Sequence, residues 1–238
     1  MTEGGPGTSA SRQTGDGRAF PREILAGDTL AAARSILGAL LVRDPVRQGG
    51  ERRSGRIVEV EAYVGPDDLA SHARMGPTPR NRVMFGPPGI AYVYLVYGMH
   101  HCLNVVTEAA PRPAALLIRA VEPVEGLAEM RAARPAARTG SRPTRDERLA
   151  AGPGLVGLAF GIDRTMTGLD LCDPGSFLRI EVPSAVGPGE PGARGAPGEA
   201  VPRLVATPRV GIAYAGEPWT GLPWRFLVAG SPSLSRAS

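Results

Sequence analysis

The stretch IAYVYLVYGMHHCLNVVT, residues 90–107, decides the fold class. Its β-branched and aromatic residues are broken once, at Gly98-Met99. The pattern reads as strands Ile90–Tyr97 and His101–Thr107 joined by a tight turn. Working outward, Arg56–Tyr63 and Ala114–Val121 alternate as strands do, and Arg209–Tyr214 and Trp224–Val228 extend the set. Helical spacing follows the N-cap residue Asp28, in Leu30, Ala33, Ile36, Leu37, Leu40 and Leu41. A second helix is expected over Val124–Arg134, stopped by Pro135, and a short one from Gly152-Pro153-Gly154 to about Phe160. Strands joined as hairpins and interleaved with helices give an α+β class: a single mixed domain with a largely antiparallel β-sheet core and flanking helices. Residues 1–18 read as a disordered tail, 19–238 as the domain, 136–145 as an arginine-rich connection and 183–202 as a Pro/Gly-rich surface loop.

The net charge of +4 suits a polyanionic partner. All 27 basic residues are Arg, so a lysine Schiff base and a phosphate-loop lysine are excluded. Arg still grips phosphate with two prongs. Cys102 and Cys172 lie far apart without CxxC spacing, as in a reducing compartment. No secretory signal pattern and no apolar run of membrane-spanning length is seen, so a cytoplasmic chain is expected, without membrane contact.

Alternation in Arg56–Tyr63 puts Ile57, Glu59, Glu61 and Tyr63 on one face and Val58, Val60 and Ala62 on the other. The acidic face is either the lining of a groove or a solvated strand edge. Tyr92 and Tyr94 share a face, while Tyr97 points the opposite way at the strand end. These tyrosines fit core packing; equally, Tyr97-Gly98-Met99 is an apolar tip able to wedge between base pairs. Arg119 is the one charge in an apolar strand and needs a partner, Glu59 or Glu61, in a structural or a catalytic pair. His100 and His101 are adjacent and face apart, and no HxxxH spacing exists, so no metal site is expected. Asp67-Asp68 after Pro66 reads as a turn.

The runs RIVEVEAYVGPDDLASHARMG, TPRNRVMFGPPGIAYVYLVYGMHHCLNVV, LLIRAVEPVEG, RVGIAYAGEPW and PWRFLVAGSPSLS resemble the alkyladenine (3-methyladenine) DNA glycosylases over roughly residues 20–236. The resemblance implies a mixed domain with a protruding β-hairpin that intercalates in DNA. It implies that Glu61 is a general base, and that Arg119 and the Val210 carbonyl join it in holding the attacking water. It implies that Tyr63, His72 and Tyr94 sandwich the extruded base, that Asn104 crowds a guanine amino group, and that Tyr97, with Met99 on the same tip, fills the gap in the duplex. Leu155 stands where the family carries a basic residue, His100 where a relative has an aromatic, and the segment between His72 and Thr78 is slightly short.

The implied activity is a monofunctional glycosylase of base excision repair. It would act on double-stranded DNA holding 3-methyladenine, 7-methylguanine, hypoxanthine or ethenoadenine and leave an abasic site. No cofactor and no metal are expected. A monomer acting in the cytoplasm, at the nucleoid, is the expectation. Two rivals compete with it: a metal-dependent nuclease, which would release nicked strands and stop in chelator, and a lesion-binding protein without catalysis, which would release no base.

Overall fold

The computed structural model describes residues 17–44, 50–135, 144–183 and 202–235. Within them the strands are β1 (Arg18–Ala19), β2 (Leu40–Arg43), β3 (Arg53–Val64), β4 (Ala91–Val96), β5 (His100–Val106), β6 (Ala114–Glu125), β7 (Leu178–Val182), β8 (Leu204–Thr207) and β9 (Arg225–Val228). They form one sheet in the order β1-β7-β2-β3-β6-β5-β4, with β9 joining β3 to β8. Every strand pairing in it is antiparallel. The helices are α1 (Arg22–Ala26), α2 (Thr29–Ile36), α3 (Leu127–Ala132) and α4 (Pro153–Ala159). The mixed, largely antiparallel class read from the sequence is the class observed.

The Asp28 carboxylate caps α2 by accepting the Ala31 N–H at 2.8 Å. Ala32, Ala33 and Ile36 turn inward. The expected continuation to Leu41 does not occur. Gly38 takes a left-handed φ of 93°, and Leu40-Leu41 enter β2 instead. Likewise β6 runs on to Glu125, so α3 starts at Leu127 rather than Val124. In α4, Pro153 occupies the first turn, where its missing N–H has no cost. A Cβ on Gly157 would stand 2.2 Å from the His101 carbonyl, so only glycine lets α4 lie this close to β5.

Three register shifts interrupt the β3–β6 ladder, one between Ser54 and Gly55 and two around Glu59. Ile57 pairs with Val121, Glu59 with Ala120 and Val60 with Ile118. Val58 on β3 and Arg119 on β6 are thus each left without a partner, as compensating bulges. The simple alternation read from the sequence is corrected here: Ile57 joins Val60 and Ala62 in the main core, whereas Val58 does not. Glu59, Glu61 and Tyr63 keep the opposite face. The expected strand Arg209–Tyr214 is also absent. Gly211 at φ 77° turns the chain, a short 3-10 turn covers Ala213–Ala215, and the strand lies upstream as β8. Arg18, assigned to the tail, begins β1; residues 1–16, 136–143 and 184–201 lie outside the described residues.

Candidate active site

β3 and β6 bring three charged side chains together beneath the bulges. Arg119 Nε donates to Glu59 Oε1 at 2.9 Å, and its Nη1 lies 3.2 Å from Glu61 Oε1. Both carboxylates are fully buried. The sequence left the partner of Arg119 open; the arginine bridges both. The two glutamates differ sharply. Glu59 Oε1 also accepts from Arg225 Nε at 2.8 Å and from the Ser235 hydroxyl at 2.7 Å, and Oε2 accepts the Ser235 N–H at 2.7 Å. Burial opposes its ionisation, but the Ser235 hydrogen bonds, then Arg119 and Arg225, outweigh it and hold the carboxyl below the usual range. Burial likewise disfavours the Arg119 charge, yet Glu61 and Glu59 push its pKa above the ordinary arginine value.

Glu61 is contacted by one wall of the neighbouring cavity and by a backbone amide. The Val210 N–H donates to Oε1 at 2.6 Å, and the Tyr63 hydroxyl donates to Oε2 at 2.9 Å. Burial first, then the Glu61 charge, keeps the Tyr63 phenol protonated. The sequence reading brought Val210 to this place through its carbonyl; the contact observed is through its N–H.

Tyr63 also walls a cavity with Ala70, His72, Met84, Tyr92, Tyr94, Asn104 and Tyr214. The cavity measures about 40 Å³. His72 and Tyr94 meet edge-on with ring centroids 4.5 Å apart. His72 Nδ1 is 3.0 Å from the Tyr92 hydroxyl. The residue as a whole is open to solvent, but its ring is desolvated by these neighbours. That, then Arg80 and Arg74, lowers its pKa to about 4. Asn104 Nδ2 donates to the carbonyls of Tyr92 at 3.0 Å and Cys102 at 3.5 Å, which leaves its own oxygen for the cavity.

Tyr97 and Met99 sit apart from this cluster at the tip of the β4–β5 hairpin, 88% and 69% exposed. The turn is centred on Tyr97-Gly98, both left-handed, rather than on Gly98-Met99. Leu155 lines a separate cleft of about 550 Å³ whose walls include Arg119, Arg134, Arg145 and Arg148.

Several site residues escaped the sequence reading. Asp68 was assigned to a turn, and it does sit in one, but it is fully buried and ion-paired to Arg209. Tyr214 was placed in a strand, and Ser235 carried no signal. Only a charged residue directly before Val210 hinted at Arg209. Among the described residues, no group of three or more His, Cys, Asp or Glu side chains could hold a metal ion, and no helix is long and apolar enough to cross a membrane.

The methylpurine-DNA glycosylase family model matches residues 23–232. A relative from Myxococcus xanthus (strain DK1622) that carries a 3-methyladenine DNA glycosylase name is 47% identical, over 91% of this chain and 93% of its own length. One so named from Methanocella arvoryzae is 45% identical, over 91% of this chain and 96% of its own. The mouse protein named DNA-3-methyladenine glycosylase is 43% identical, over 95% of this chain and 63% of its own.

Proposed function

The chain belongs to the methylpurine-DNA glycosylase family, whose members hydrolyse a glycosidic bond in DNA repair, and from that premise we propose that it extrudes a damaged purine nucleotide and leaves an abasic site. The observation that carries this reading is a shared residue. Tyr63 both walls the aromatic cavity and hydrogen-bonds the buried carboxylate of Glu61. A base stacked on that ring would bring its sugar C1′ towards the carboxylate.

Extrusion costs a few kcal/mol, least for a base already poorly paired. Stacking against Tyr63 on one side and the His72–Tyr94 wall on the other returns about 1–3 kcal/mol per aromatic face. An alkylated, cationic purine gains further from electron-rich rings and is a better leaving group. Tyr97 enters the vacated stack, a role that its exposure at the hairpin tip supports. Glu61 deprotonates a water and stabilises the oxocarbenium-like sugar, with Arg119 paired to its carboxylate. Asn104 crowds the amino group of a guanine in the pocket. The arginines around Leu155 take over the phosphate contact that a basic residue there would make. The protein acts as a monomer on duplex DNA.

The test is base release from duplexes carrying 3-methyladenine, 7-methylguanine, hypoxanthine or ethenoadenine, with chelator present. Free base and an intact, alkali-labile strand are expected. Nicked strands that vanish in chelator would favour a nuclease. Tight binding with no release would favour a lesion binder.

A further inference from the structure

Asp68 and Arg209 form an ion pair that the mechanism above leaves unused, and neither side chain reaches solvent. The contact is two-pronged: Nη1 donates to Oδ2 at 2.6 Å and Nη2 to Oδ1 at 2.9 Å. Nη1 also donates to the Ala62 carbonyl at 2.9 Å, one residue before Tyr63. The guanidinium lies 4.8 Å from the centroid of the Tyr63 ring and 5.0 Å from that of Trp224. Asp68 in turn accepts the N–H groups of Val64 at 3.2 Å and Ala70 at 3.0 Å, securing the loop that leads to His72. The residue after Arg209 is Val210, whose N–H reaches Glu61.

Stability alone does not account for such a pair. Desolvating two charges offsets most of their attraction, and well-packed apolar residues of similar volume commonly serve as well. What a planar, two-pronged guanidinium supplies is direction. Its face backs one side of the Tyr63 ring and leaves the other to the cavity. Its backbone aims the next amide at Glu61. The two groups that touch the Glu61 carboxylate from this side, the Tyr63 hydroxyl and the Val210 N–H, are both set by one side chain.

We propose that Arg209, locked by Asp68, is the positioning residue of the site: it fixes the stacking ring and the amide that hold the general base in place. The proposal rests on the glycosylase reading only for its activity readout.

Breaking the pair singly, as in Arg209→Gln, strands a buried charge and lowers stability whatever the role. The informative variant replaces both, Asp68→Leu with Arg209→Met. Its thermal midpoint is expected to return close to that of the wild type. Single-turnover base release is expected to stay at least about tenfold lower, since small misplacements cost up to about 100-fold. The Val210 amide should also exchange with solvent at least about tenfold faster. Arg209→Lys keeps the charge without the fork, and it carries the same two readouts should the double variant not fold. A folded variant of either kind with wild-type release and a wild-type amide overturns the proposal and leaves the pair a structural tie. A wild type that releases no base defeats the glycosylase reading instead, and amide exchange still decides the role of Arg209.

Discussion

Two buried glutamates two residues apart face the same arginine, and among the described residues only Glu61 is hydrogen-bonded to a residue that walls the aromatic cavity. Glu59 receives four donors, from Arg119, Arg225 and both groups of Ser235, and none of these residues lines the aromatic cavity. Glu61 Oε2 takes one donor among the described residues, the Tyr63 hydroxyl, which leaves a lone pair for a water. His72 is a further titratable group at the cavity. With its pKa down at about 4, the folded chain binds this proton less readily than the unfolded chain does at the ordinary 6.5. The stability His72 contributes is therefore complete above the ordinary value and is lost as the pH falls through about 4. Imidazole nitrogen resonances of His72 should titrate near that low value; a midpoint close to the ordinary one would show a solvated, chargeable ring. Glu61, Arg119 and Tyr63 were legible as single residues because a charge in an apolar strand and a carboxylate beside a tyrosine are chemically conspicuous. Asp68 was not, because an aspartate after Pro66 has the same local signature whether its carboxylate meets water or a buried arginine from a remote stretch.

At the scale of elements, the proposed function falls on the paired bulges and the hairpin tip. The strands themselves were readable from alternation, but a bulge is a property of two strands together. Neither Arg56–Tyr63 nor Ala114–Val121 announces that Val58 and Arg119 will each lack a partner. The segment from Arg209 to Tyr214 misled for a similar reason: its apolar residues serve the cavity and the Glu61 contact, not a ladder. At the tip, Tyr97 holds φ 52° while exposed, a conformation that costs a non-glycine residue about 1–2 kcal/mol. No core contact rewards that strain, which fits a side chain kept for a partner. Tyr97→Gly should therefore leave the thermal midpoint equal or slightly higher while weakening binding to lesion duplexes and slowing base release. A clear loss of stability in melting curves, with release unchanged, would place Tyr97 in the fold rather than at the DNA.

For the whole molecule, the absence of lysine is the most consequential fact of composition. Strand-cleaving glycosylases commonly attack C1′ with an amine and pass through a Schiff base. No side chain here can do so. Borohydride added during turnover should trap no covalent protein–DNA complex, and an enzyme that is trapped would point to the N-terminal amine. The same composition leaves arginine as the permanently charged side chain able to meet phosphate, including the arginines that line the cleft around Leu155. The central claim, that Glu61 activates water for a purine held in the neighbouring cavity, is tested most directly by Glu61→Gln. Affinity for a lesion duplex and the rate of base release are to be measured on the same preparation. The account predicts wild-type affinity with release slowed by about 10²–10⁴-fold. Release at the wild-type rate would contradict it.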